Sequence, residues 1–108
     1  NDSGTYAEAR NMAASMSFDA DAIVAFDDII ACGVLDGLSD RGILVPEDVR
    51  LLGCDDALPV QTRPRLSTVR LDGPAGVREA VALLAACKEP VVPEARVVIP
   101  GTLTMRET

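Results

Sequence analysis

Four carboxylates in two adjacent pairs are the most chemically capable groups in this chain. The run VAFDD (residues 24–28) stops on Asp27 and Asp28, and LLGCDD (51–56) stops on Asp55 and Asp56. Ionised carboxylates accept hydrogen bonds and donate none. A pair of them at one edge suits a ligand rich in donors: sugar hydroxyls, a polyol, exocyclic amines or a cation. Acid–base work or Mg²⁺ binding is the catalytic reading, and it lacks partners. The chain has no His. It has no G-x-S-x-G elbow and no Cys with a basic neighbour close in sequence. VRLLG and GPAG lack the glycine spacing and the Lys-Ser/Thr of a phosphate loop. A phospho-acceptor receiver domain also gathers aspartates at strand ends, but it needs a strand-end Lys, and Lys88 closes a helical segment instead. The expectation is a binding protein, not an enzyme, with no metal and no cofactor.

Each aspartate also has a structural alternative. Asp28 opens a helical segment and is expected to cap it by accepting an orphan N–H. Asp56 precedes a loop and suits a local turn bond. Asp27 and Asp55 have neither a helix start nor a turn of their own; they are the ligand-binding candidates, with a solvated strand end as the alternative on spacing alone.

Periodicity gives the elements that must carry these residues. Residues 4–16, 28–41 and 73–88 have helical spacing, while 21–26, 49–54, 66–71, 95–99 and 102–106 read as short strands. The first helix should bury Tyr6, Ala9, Met12, Ala13 and Met16. The second should bury Ile30, Ala31, Val34, Leu35 and Leu38. It should end in a Schellman turn, with Gly42 left-handed and Ile43 meeting Leu38, before Pro46 forbids continuation. The third is capped by Asp72 or Gly73, has Pro74 in its first turn, and should bury a stripe of Val77, Ala80, Val81 and Leu84. This alternation predicts an α/β fold with a largely parallel sheet flanked by helices. Right-handed crossovers would bring the ends of the first two strands to one edge, and open parallel sheets bind ligands beyond their carboxyl ends.

Composition excludes several classes. Seventeen acids face ten bases, for a net charge of −7, and the bases form no stripe, so this chain offers no electrostatic footprint for nucleic acid. No apolar run approaches the roughly 20 residues that span a bilayer, so no membrane partner is expected. Three cysteines, Cys32, Cys54 and Cys87, are far apart and odd in number, which suggests buried thiols in a reducing compartment. No charged-then-apolar run reads as a secretory leader, and Asn1 with its helix-like entrance suggests a fragment or a processed chain, so this says little about the parent protein.

The order of segments resembles the C-terminal part of the effector-binding domain of the lactose-repressor/galactose-repressor (LacI/GalR) family. The family's Asn-Asp-x-x-Ala-x-Gly is matched by DDIIACG (27–33). Its G-x-x-V-P-x-D-V is matched by residues 42–49, its G-[aromatic]-D-[D/N] by GCDD, its Leu-[Thr/Ser]-Thr-[Val/Ile] by LSTV, and its closing L-x-x-R-x-S/T by TLTMRET. No one motif is specific, but five in order with the right gaps are. The resemblance implies a two-lobed periplasmic-binding-protein fold. Residues 1–71 would lie in the C-terminal lobe, 72–98 would cross to give a helix to the N-terminal lobe, and 99–108 would return, with hinges near Leu71 and Pro100. It implies that Asp27 and Asp55, the first of each pair, hold a small effector and that Asp28 is structural, as Asp56 and Gly42 are on the local readings above.

It further implies a cytoplasmic, homodimeric transcriptional repressor sensing a sugar or similar polar metabolite. Operator DNA would be bound through a helix-turn-helix headpiece absent from this chain. The helix at 28–41 and the segment 57–70 are candidate dimer surfaces, with Asp36, Asp40 and Arg41 otherwise expected to form a solvated outer face. An effector-binding arginine would come from a strand before Asn1, and stacking aromatics here are limited to Tyr6, Phe18 and Phe26. A periplasmic sugar-binding protein of a transporter is the alternative on the same lobes. The chain departs from the family where Asp27 replaces Asn, Cys54 replaces an aromatic, Gly76-Val77 stands for Leu-Gly, and the 57–65 loop is slightly short. The first departure bears on the ligand, because a carboxylate replaces a neutral amide that can donate.

Overall fold

The computed structural model describes residues 5–17, 19–56, 61–87 and 96–108. The order is α1 (Tyr6–Ser15), β1 (Ala22–Val24), α2 (Asp28–Asp40), β2 (Arg50–Asp55), β3 (Ser67–Arg70), α3 (Gly73–Ala86) and β4 (Thr102–Thr104). The four strands form one sheet in the order β1-β2-β3-β4. β1, β2 and β3 are parallel, and β4 runs antiparallel along β3. The β1–α2–β2 crossover brings the carboxyl ends of adjacent strands to one edge, as the alternation predicts.

α2 carries the core. It buries Ala31, Val34, Leu35 and Leu38 against β2, whose Leu51 is also buried, and Val45, Val49 and Leu66 complete the cluster. Its end matches the expected Schellman geometry. Gly42 has φ +74°, its N–H donates to Ser39 at 3.0 Å, and the Ile43 N–H donates to Leu38 at 3.0 Å. Glycine adopts this conformation without the Cβ penalty of other residues.

α1 lies against α2 at short range. A Cβ on Gly33 would stand 2.8 Å from the Ala9 Cβ, and one on Gly37 would stand 2.8 Å from the Ala13 Cβ, with the α1 backbone closer still. Small residues four apart on each helix let the two backbones meet. Polar bonds close the seam: the Tyr6 hydroxyl donates to Asp36, and Arg10 spans both Asp40 oxygens at 2.8 and 3.0 Å. The expectation of a solvated outer face is corrected for Asp36, which is half-buried in this seam, and holds for Asp40 and Arg41, which stay exposed although both bond to α1 or its end.

Four further expectations change. Met12 and Met16 are 52% and 48% exposed, because Ala9 and Ala13 are the apolar residues that α1 buries. No residue of α3 is buried. Arg96–Ile99 joins no strand, since its β-branched residues find no ladder partner among the described residues; Ala95 lies outside them. The cysteines are half-buried and free, and burial pushes the Cys32 thiol above its ordinary value.

Candidate functional site

The site is the carboxyl edge of β1 and β2. Asp27 is the residue before α2, with extended backbone, and its Oδ1 accepts the Ile30 N–H at 2.7 Å. The cap therefore belongs to Asp27. The expectation that Asp28 makes it is corrected: the capping residue must be non-helical while its own carbonyl accepts the first helical bond, and it is the Asp27 carbonyl that accepts from Ala31. Asp27 spends one oxygen on this bond.

Asp28 is instead the buried member, 6% exposed. One carboxylate oxygen accepts the Thr68 hydroxyl at 2.7 Å, and the other accepts the Asp56 N–H at 2.9 Å. A buried carboxylate needs such partners, and its place in the first turn of α2 adds the favourable field of the helix N-terminus. Gly53 makes room for it, since a Cβ there would overlap Asp28 Oδ1. Asp28 thus ties α2 to β3 and to the end of β2.

Asp55 is the last residue of β2 and is half-buried. Its φ is +117° and that of Asp56 is +51°. Aspartate tolerates the second value. The first is sparsely populated, and holding a residue in such a region costs about 1–3 kcal/mol, a cost found where surrounding structure over-determines the turn. Here that structure is visible. The Asp55 carbonyl accepts the Leu71 N–H at 3.2 Å, Asp28 holds the Asp56 N–H, and the Asp56 carboxylate accepts from Arg106 at 3.0 and 3.2 Å, with Arg70 at 3.5 Å. Asp56 is therefore a clamp between strands and not a simple turn residue. Among the described residues no donor reaches the Asp55 carboxylate.

Arg106 is a functional neighbour that sequence reasoning missed. Besides Asp56 it donates to the Leu66 carbonyl at 2.8 Å, and its own N–H donates to Ser67 Oγ. Only its place in the closing L-x-x-R pattern signalled it. Of the aromatics, Phe26 adjoins Asp27 and is 85% exposed, Tyr6 is engaged in the α1–α2 seam, and Phe18 lies outside the described residues. A separate hollow of about 600 Å³ is lined by Gln61 to Arg65 and Glu107 and includes none of the four aspartates. No group of three or more metal-ligating side chains gathers among the described residues. No helix there is long and apolar enough to cross a membrane.

The arrangement presents two carboxylates with unequal commitments on one strand edge, held by a buried third and a clamped fourth. Comparison with known proteins gives a consistent result. The periplasmic binding protein-like domain model matches residues 1–108. The transcriptional regulator GalR of Escherichia coli is 44% identical over 50 residues, which is 45% of this chain and 15% of that protein. A LacI family regulator from Arthrobacter sp. FB24, solved with lactose, superposes with a TM-score of 0.74 at 36% identity, covering 95% of this chain and 41% of that one. A LacI family regulator from Weissella paramesenteroides, solved with bound sucrose, gives 0.70 at 27% identity, covering 95% and 38%. The chain thus spans less than half of each relative.

Proposed function

The chain belongs to the periplasmic binding protein-like domain family, in its LacI/GalR form, and from that premise we propose that it is the effector-sensing part of a transcriptional repressor, with Asp27 and Asp55 accepting hydrogen bonds from a sugar or similar polar metabolite. The observation that carries this reading is the Asp55 carboxylate. It ends a central parallel strand, no described residue donates to it, and its backbone is held in a strained conformation by its neighbours. Asp27 follows the end of the neighbouring strand β1 and has one oxygen uncommitted among the described residues, and exposed Phe26 precedes it in the chain. The sugars held by the Arthrobacter and Weissella regulators support the ligand class.

In this reading residues 1–71 form one lobe, 72–98 cross to a second lobe, and 99–108 return. The exposed Val77, Val81 and Leu84 of α3 support such a crossing. Effector bound between the lobes favours a closed arrangement, and closure alters the spacing of two DNA-binding headpieces in a cytoplasmic homodimer. With its net charge of −7, this part of the protein leaves operator contact to the headpiece. The carboxylate at Asp27 favours donor-rich or amino sugars over ligands that need a donor from the protein.

The test is calorimetry on the full-length regulator with a panel of mono-, di- and amino sugars that includes lactose and sucrose. Asp55→Ala should weaken the bound sugar by about 10- to 100-fold, the scale of one hydrogen bond to a charged group, and leave operator affinity unchanged in a gel-shift assay. Unaltered sugar affinity in that variant overturns the assignment.

A further inference from the structure

The four aspartates differ in what they can do, and Asp28 is the one with no access to a ligand. It is buried, both of its oxygens are used, and neither partner is local: Thr68 is 40 residues away and Asp56 is 28. The geometry points to Asp28 as a positioning residue for the effector site, acting through the Asp56 N–H to hold Asp55 in its strained conformation. This rests on the reading that Asp55 receives the effector.

The physical argument starts from the strain. A strand end carrying two successive residues at positive φ relaxes to extended backbone unless something over-determines it. Contacts from three directions fix the turn. Leu71 of the β3–α3 connection holds the Asp55 carbonyl. Arg106 and Arg70 hold the Asp56 carboxylate. Asp28 holds the Asp56 N–H, the peptide group joining the two residues. The acceptor of the Asp28 bond is buried, so solvent competes little for it. Rotation of the 55–56 peptide plane breaks it, together with the Leu71 bond to the carbonyl of the same peptide group. The space beside Gly53 is part of the same device, because it lets the carboxylate reach both partners. Thr68, 0% exposed, fixes the carboxyl plane by donating to the other oxygen.

Positioning and mere structural support make different predictions. Asp28→Ala removes both bonds. Thr68→Val removes only the hydroxyl and leaves the Asp56 N–H its acceptor. Asp28→Asn can keep both, with its oxygen accepting from Asp56 and its amide donating to a rotated Thr68 hydroxyl. Gly53→Ala keeps every polar group and displaces the carboxylate by contact, so it carries the test if Asp28→Ala does not fold.

The experiment is NMR on the 108-residue chain, reading the Asp55 backbone coupling constant and the exchange rate of the Asp56 amide. In Asp28→Ala and Gly53→Ala the Asp55 coupling should move toward its extended value, and the Asp56 amide should exchange about tenfold faster or more, the factor set by losing one such bond. Thr68→Val should lower the melting temperature and leave both signals in place, and Asp28→Asn should retain them. Unchanged signals in Asp28→Ala, or in Gly53→Ala where the first does not fold, overturn the proposal. Equal disturbance in Thr68→Val does so too.

A second arm titrates lactose into the full-length regulator. There Asp28→Ala and Asp55→Ala should be non-additive, the double variant binding no worse than Asp55→Ala alone. Additive losses overturn the coupling. If Asp55→Ala alone loses nothing, or neither lactose nor any other sugar of the panel binds, the sugar-site reading fails while the NMR comparison still decides what Asp28 does to Asp55.

Discussion

α2 and α3 are written in nearly the same way and end in opposite surroundings. They have 13 and 14 residues. Each follows an aspartate that accepts an N–H three residues on, Asp27 from Ile30 at 2.7 Å and Asp72 from Ala75 at 3.0 Å. Each carries an apolar stripe. Yet Leu38 of α2 is 0% exposed and Leu84 of α3 is 74% exposed. Caps and periodicity specify that a helix forms. What it buries depends on the surfaces brought to it, and α2 has α1 on one side and β2 on the other.

The largest expected effect tests that contrast directly. Leu38→Ala should cost about 2–5 kcal/mol, the range for emptying a packed leucine site. Leu84→Ala in the same chain should stay within about 0.5 kcal/mol, as exposed substitutions do. Urea unfolding of both variants measures this, and similar losses would erase the distinction.

Next come the glycines, where the sign itself should differ. Gly37→Ala drives a methyl into the α1 backbone and the Ala13 Cβ, an overpacking worth about 1–3 kcal/mol of destabilisation. At Gly76 of α3 a Cβ meets only Ile99 Cδ1, at 3.8 Å. Gly76→Ala should therefore stabilise, by up to about 1 kcal/mol from helix propensity. Thermal melts distinguish the two directions.

The caps should then look alike in stability and unlike in function. Asp27→Ala and Asp72→Ala should each cost about 1 kcal/mol. Only the first should also weaken the sugar in calorimetry on the full-length regulator. A matching loss from Asp72→Ala would place the ligand elsewhere.

What could be read from the sequence follows the range of each interaction. The Schellman ending at Gly42 was legible because its donors and acceptors lie within five residues. Leu44 and Asp48, in the V-P-x-D motif, close a local turn of the same kind, with the Leu44 N–H on Asp48 at 2.8 Å. The cap was misplaced by one residue because both candidates are aspartates and only the backbone angle separates them. The roles of Asp28, Asp56 and Arg106 were out of reach, because their hydrogen-bond partners lie 28 to 50 residues away and the nearer ion-pair partner of Asp56, Arg70, is on another strand. The α1–α2 seam had a faint signal: Ala9 and Ala13 share the four-residue spacing of Gly33 and Gly37. The stripe of α3 was read correctly as a pattern, but a pattern says which side of a helix is apolar and not whether that side is covered.

The smallest effect is electrostatic and belongs to α2 alone. Its seam with α1 titrates, and no group on α3 has a comparable partner among the described residues. The Arg10 hydrogen bond holds Asp40 below the usual carboxylate range, and the bond to Asp36 holds the Tyr6 phenol above its usual value. A lowered carboxylate contributes stability that is present above its unfolded value, about 3.9, and is lost as pH falls through the folded one. A raised phenol contributes stability that is full below its unfolded value, about 10, and is lost as pH rises through the folded one. The seam should therefore hold across neutral pH and loosen at both extremes. Tyr6 is the sole tyrosine, so its ultraviolet titration reports one group. Its midpoint should lie above that of a free phenol and fall toward it in Asp36→Asn, with amide protection in α1 falling in step and that of α3 unmoved. An ordinary midpoint in the unaltered chain would mean that the Tyr6–Asp36 bond does not hold in solution, and that the seam rests on its alanines and glycines.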